Sequence, residues 1–142
     1  MHFKFIQAKD EDREYLLELR KLTMVEHLEK SGQYLTQDEH ILRLNDAYEC
    51  SHLIFYQNNK IGTLKYREHD NTLEVMQLQI SPEYQGKGLG GKILRQVLHH
   101  AGDKVVELTV LKENPALKLY KRLGFTVTGE DEYEFHMQAN PN

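Results

Sequence analysis

Leu78-Gln79-Ile80-Ser81-Pro82-Glu83-Tyr84-Gln85-Gly86-Lys87-Gly88-Leu89-Gly90-Gly91-Lys92 joins an alternating, strand-like run to an amphipathic, helix-like one and carries four glycines in six positions. Without Cβ atoms such a turn lets backbone N–H groups approach an anion closely, and the start of the helix behind it adds unpaired donors and a partial positive charge. The turn therefore reads as a phosphate cradle made of backbone, with Lys87 and Lys92 close by.

Working outward from the turn, residues 73 to 80 alternate as a strand, with Glu74, Met76, Leu78 and Ile80 on one face and Val75, Gln77 and Gln79 on the other. Upstream of it, residues 52 to 56 and 61 to 66 form a hairpin about Gln57-Asn58-Asn59-Lys60. Further upstream lie a short first strand at residues 3 to 8 and a helix capped by Asp10. That helix carries Tyr15, Leu16, Leu19, Leu22, Val25 and Leu28, and a second, capped by Thr36, carries Ile41, Leu42 and Leu44. Downstream of the turn, Leu89, Ile93, Leu94, Val97, Leu98 and Ala101 line one side of a helix ending near Gly102. Residues 105 to 111 are nearly all apolar, as a buried parallel strand requires, and the preceding helix is its crossover. Asn114-Pro115 starts a last helix that Gly124 stops, and strands at 125 to 128 and 133 to 137 end the chain. The expected architecture is one α+β domain spanning residues 1–142.

Its 142 residues suffice for one core and one site. Hydrophobic residues at 39% and charged residues at 28% mark a soluble globular composition, and the longest apolar run, Leu53 to Tyr56, predicts no membrane span and no secretory signal. Cys50 is the only cysteine, so no internal disulfide forms, and a cytoplasmic location is expected. A formal charge of −4 offers no basic surface for nucleic acid. The eight histidines contain no His-Glu-x-x-His, and His99 and His100 point apart on their helix, so no metal is expected.

Three patterns use glycine turns of this kind. Gly86, Gly88 and Gly91 satisfy G-x-G-x-x-G, but five residues separate them from the strand and only about fifty follow, too few for the second half of a dinucleotide-binding sheet. Gly86 to Lys92 nearly fits G-x-x-x-x-G-K-[ST], except that Ile93 stands where a hydroxyl should hold magnesium. The third pattern, a strand ending Leu-x-Val/Ile-x-Pro followed by Q-x-x-G-x-G, fits throughout Leu78 to Gly90. Here the chain resembles the GNAT superfamily of acyl-CoA-dependent N-acyltransferases. Asn114-Pro115-Ala116-Leu117-Lys118-Leu119-Tyr120-Lys121-Arg122-Leu123-Gly124-Phe125 is similar to that family's second segment, which ends L-Y-x-x-L-G-F.

The resemblance implies a GNAT-type fold: a mixed, mainly antiparallel twisted sheet of about seven strands flanked by four helices, compatible with a homodimer. It also implies an N-acetyltransferase that moves acetyl from acetyl-CoA, as co-substrate, to a primary amine of a small molecule or protein. Since Cys50 is far from the motifs, transfer is expected to be direct, within a ternary complex. A non-catalytic acyl-CoA-binding regulator and a nucleotide-phosphate-binding protein are the alternatives. The phosphates are expected on the amides of Gly86, Lys87, Gly88, Leu89, Gly90 and Gly91, with the Lys87 and Lys92 side chains nearby and Gln85 also in the cofactor site, and the pantetheine arm beside Leu78, Gln79 and Ile80, whose backbone N–H groups polarise the acetyl carbonyl. Tyr120 holds the position of the acid that protonates the departing sulfur, or else packs behind Phe125. Asn114 either bonds the pantetheine arm or caps its helix; it lies one residue nearer the Tyr than the family's spacing. Glu74 is either the general base or an exposed strand residue. Thr109 stands where other members carry a carboxylate, which leaves deprotonation through water open. Gln77 and Gln79 line the acceptor cleft or pack. His27, Tyr34, His40 and Arg43 fall where the fold builds its acceptor pocket, and Arg43 either holds an acceptor carboxylate or is a solvated helix charge.

Overall fold

The computed structural model describes residues 2–141. Among them the chain runs β1 (Lys4–Gln7), α1 (Arg13–Lys30), α2 (Gln37–Asn45), β2 (Ser51–Tyr56), β3 (Asn59–Glu68), β4 (Thr72–Ile80), α3 (Leu89–Ala101), β5 (Val105–Leu111), α4 (Leu117–Arg122), β6 (Thr126–Glu130) and β7 (Glu134–Ala139). The strands form one mixed sheet in the order β1-β2-β3-β4-β5-β7-β6, in which only β4 and β5 run parallel. The α+β class and the seven strands and four helices expected from the sequence are all present. No helix among the described residues is long and apolar enough to cross a membrane.

Neighbouring β2 residues show that helices cover both faces. Ile54 belongs to the larger core, with Ile93 and Val97 of α3. Leu53 belongs to a smaller one, with Leu16 of α1, Leu44 of α2 and Tyr48. Adjacent strand side chains point to opposite faces, so α3 lies on one side of the sheet and α1 with α2 on the other.

Several local expectations need correction. A 3-10 turn, Asp10–Asp12, precedes α1, and Asp12 rather than Asp10 accepts from the Lys9 amide. Leu22 and Leu42 are 60% and 70% exposed, while Arg20 and His40 lie inside. Arg20 donates through Nε to His40 Nδ1 at 3.1 Å, so a polar pair fills the seam between α1 and α2 where the apolar spacing suggests leucines. Thr36 does cap α2: its hydroxyl accepts from the Glu39 amide and the Glu39 carboxylate accepts from the Thr36 amide.

The largest correction concerns β4. Its register against β3 steps from Tyr66↔Val75 to Lys65↔Gln77, so Met76 is an extra residue, a β-bulge. The extra residue reverses the alternation. Leu73, Val75, Leu78 and Ile80 therefore all face the α3 core, and Gln79 faces α1, where its Nε2 contacts Met24 Sδ at 2.7 Å. Period-two reading fails beyond Val75 because it cannot register a residue that lacks a partner.

Candidate active site

Parallel pairing of β4 with β5 begins at Thr72↔Val105 and ends at Val75↔Leu108. Beyond it β4 stays with β3 as far as Ile80↔Gly62, whereas β5 stays with β7 as far as Leu111↔Glu134. A bulge bends its strand and sharpens the twist, so Met76 sits where β4 turns away. The gap is a cleft of about 710 Å³ walled by residues 76–80, 109–111, α1 and the segment from Asn114 to Tyr120. At its far end the Ser81 amide donates to Ile61 O at 2.9 Å, toward β3. Alternation along an antiparallel ladder turns the N–H and C=O groups of Ile80 and Leu78 the other way, into the gap. The Ile80 carbonyl is taken by Gln85 Nε2 at 2.8 Å, which ties the glycine turn to the strand.

That turn has the form a phosphate requires. Gly86 and Gly88 have φ of +76° and +74°, with nothing within 4 Å of where a Cβ would stand, and Gly88 is the N-cap of α3. Among the described residues none of the amides of 86 to 91 donates a hydrogen bond. Leu89 is buried in the core, so only its backbone faces the turn. A second hollow of about 620 Å³ lies over the turn and includes Lys92, Arg95 and Arg122. The Lys87 ammonium lies 5.7 Å from the Tyr84 ring centre. Unpaired amides, a helix start and three cations together suit a pyrophosphate.

Tyr120 lines the cleft from α4, edge-on to Phe125 at 6.0 Å between ring centres, so it packs and faces the cleft at once. Burial raises its phenol above the ordinary value, which keeps the proton on it at neutral pH. Asn114 lines the cleft too, and its Oδ1 accepts from the Ala116 amide at 2.9 Å, capping the turn before a helix that begins at Leu117. Leu78, Gln79, Ile80, Gln85 and Gly90 share the cleft, together with Gln77, Arg43 and His27, whose buried Nδ1 has no partner. Glu74 is not brought there. It stands 3.4 Å from both Arg67 Nη2 and His69 Nε2, beside the other end of β4.

A carboxylate does reach the cleft from another strand. Glu134 opens β7 opposite Leu111, with Asp131, Glu132 and Tyr133 on the preceding turn. Burial pushes the Glu134 carboxyl up, the charge of Asp131 adds to this, and His136, Arg43 and the Thr109 hydroxyl partly offset it. A carboxyl held above its usual range is suited to exchange a proton with an amine.

The sequence pattern of the Acetyltransferase (GNAT) family matches residues 13–125, which include the glycine turn, the open strand edge and Tyr120. The chain belongs to the GNAT acetyltransferase family. It is accordingly an acetyl-CoA-dependent N-acetyltransferase. Over 107 residues it is 31% identical to the spermine/spermidine N(1)-acetyltransferase of Bacillus subtilis (strain 168), covering 63% of this chain and 70% of that one. With the spermidine N(1)-acetyltransferase of Escherichia coli (strain K12) it shares 35% over 110 residues, 72% of this chain and 57% of the relative. In fold it is similar to the PaiA N-acetyltransferase of Thermoplasma acidophilum, solved with coenzyme A, at a TM-score of 0.75 and 20% identity over 99% of both chains.

Three groups of this acetyltransferase's cleft and hollow, Glu134, Arg95 and Arg122, escape sequence reading. Asp131-Glu132-Tyr133-Glu134 looks like a solvated acidic turn until strand pairing carries its last residue to the cleft. Arg95 and Arg122 are spaced like ordinary helix-surface charges, and only the approach of α4 to the start of α3, where Gly91 meets Leu119, joins them.

Proposed function

We propose that residues 1–142 form one N-acetyltransferase domain that transfers acetyl directly from acetyl-CoA to a primary amine, with both substrates bound together. The observation that carries this is the parting of β4 from β5 beside the unpaired amides of 86 to 91, with Tyr120 in the same cleft. In this reading the amides of Gly86 to Gly91 hold the pyrophosphate, and Lys92, Arg95 and Arg122 supply positive charge around it. The pantetheine arm runs along the open edge of β4, and the amides of Leu78 and Ile80 donate to groups lying there, one to the acetyl oxygen. Asn114 flanks the arm.

An alkyl ammonium must lose a proton before it attacks, and Glu134 is the carboxylate placed to accept it in place of Glu74. The amine nitrogen then bonds to the acetyl carbon, the carbon–sulfur bond breaks as the Tyr120 hydroxyl gives its proton to the leaving sulfur, and the second proton shed by the nitrogen restores the phenol. Cys50 lies buried outside the cleft, which favours direct transfer over an acetyl-enzyme. Its lone thiol is in keeping with a cytoplasmic location. The two relatives named above carry polyamines in their names, so spermidine belongs among the first acceptors tried. Thiol release followed with a panel of amines tests the reading: acetyl-CoA-dependent turnover on one of them supports it. A protein that binds acetyl-CoA and acetylates no amine would be the regulator instead.

A further inference from the structure

The cleft is lined by charges of both signs. Arg20 is 1% exposed and lines the wall on the α1 side, and its partners are neutral: His40 Nδ1 at 3.1 Å and Met24 Sδ at 3.7 Å. Arg43 stands exposed at the mouth of the same cleft. Behind it a smaller recess holds Lys65, 5% exposed, which donates to the backbone carbonyl of Asp46. Among the described residues no carboxylate lies within 4.0 Å of any of these three cations. Burial and the charge of Arg43 lower the Arg20 pKa to about 10, so Arg20 keeps its charge at neutral pH and is repelled by Arg43.

A buried cation without a counter-ion is costly, and an anion bound between Arg20 and the exposed Arg43 relieves the desolvation of the first and the repulsion between the two. Asp131, Glu132 and Glu134 line the same cleft. Arg43 is near enough to Glu134 to lower its carboxyl, yet the two make no ion pair within 4.0 Å, so a space separates them. A polyamine would set positive charge against Arg20 and Arg43. An amino acid would match both charges.

Building on the acetyl transfer proposed above, we propose that the acceptor is an amine that also bears a carboxylate, its amine at Glu134 and its carboxylate at Arg43 with Arg20 behind. The planar guanidinium of Arg43 can hold a carboxylate through two parallel hydrogen bonds. Arg20 is a positioning residue that keeps positive potential around that carboxylate.

The test compares free amino acids, each with its own carboxamide, and spermidine, as acceptors for the whole protein and for R43Q. Acetyl-CoA binding is measured by calorimetry on the same samples. The expected result is a kcat/KM about ten-fold or more higher for an amino acid than for its carboxamide, a preference carried by KM and lost in R43Q. Faster acetylation of spermidine or of the carboxamides, a preference that survives in R43Q, or acetylation of nothing in the panel by a protein that binds acetyl-CoA would each overturn the inference. Absence of acetyl-CoA binding would instead overturn the reading on which it rests.

Discussion

At the scale of single residues the proposed transfer depends on two side-chain protons, one on Tyr120 and one taken up by Glu134. Tyr120 keeps its proton because burial disfavours the phenolate, so replacing it with Phe should cost roughly 10²-fold in kcat while acetyl-CoA affinity stays the same. Rapid-quench turnover beside a binding titration separates the two effects, and an unchanged kcat would remove Tyr120 from the mechanism. In the proposed mechanism Glu134 works in the opposite direction, accepting a proton only when ionised. Because its carboxyl is raised, kcat/KM should fall on the acid side with a midpoint above the ordinary carboxylate range, and E134Q should lose that limb along with most of the rate. The same shift bears on stability. A carboxyl whose folded pKa exceeds its unfolded value contributes stability at low pH that is lost as pH rises through the folded pKa, so E134Q should melt higher than the parent at neutral pH. Tyr120 was legible because its neighbours follow a recognisable pattern. Glu134 was not, since its role depends on a strand register that brings together Leu111 and a residue 23 positions later.

At the scale of elements, the start of α2 and the glycine turn could be read from the sequence because their causes are local. The Thr36 cap needs only Glu39 three residues on, and T36A should cost about 1 kcal/mol in a denaturant melt. The β4 bulge was hidden because its cause is a pairing across strands. Close strand approach also explains Gly62: a Cβ there would lie 2.1 Å from the Gln79 carbonyl oxygen and 3.0 Å from Ile80 Cα. G62A should therefore push β3 and β4 apart where β4 exposes its open edge. About 1–3 kcal/mol of stability should be lost, with weaker acetyl-CoA binding besides. A variant that lost stability alone would show that the strand edge tolerates the shift.

At the scale of the whole molecule, the sheet carries α3 on one face and α1 with α2 on the other, and the divergence of its two central strands lets one cleft run between them. That arrangement puts backbone donors from the glycine turn and β4, a phenol from α4 and a carboxylate from β7 around one space, although 56 positions separate Leu78 from Glu134. The order of elements along the chain and the α+β class followed from hydropathy and turn chemistry, whereas the charge distribution of the cleft did not: nothing local in the sequence singles out Arg20 and Lys65, and only burial makes them exceptional. The glycine turn and the open edge of β4 are proposed to hold acetyl-CoA. Calorimetric titration of the protein and of Gly88→Asp with acetyl-CoA, with magnesium-ATP and NAD as controls, is the decisive experiment. The parent should bind acetyl-CoA selectively and the variant should lose most of that affinity, because a carboxylate and a strained backbone would meet the phosphates. Binding of ATP or NAD alone, or unaltered acetyl-CoA affinity in Gly88→Asp, would contradict that placement of acetyl-CoA.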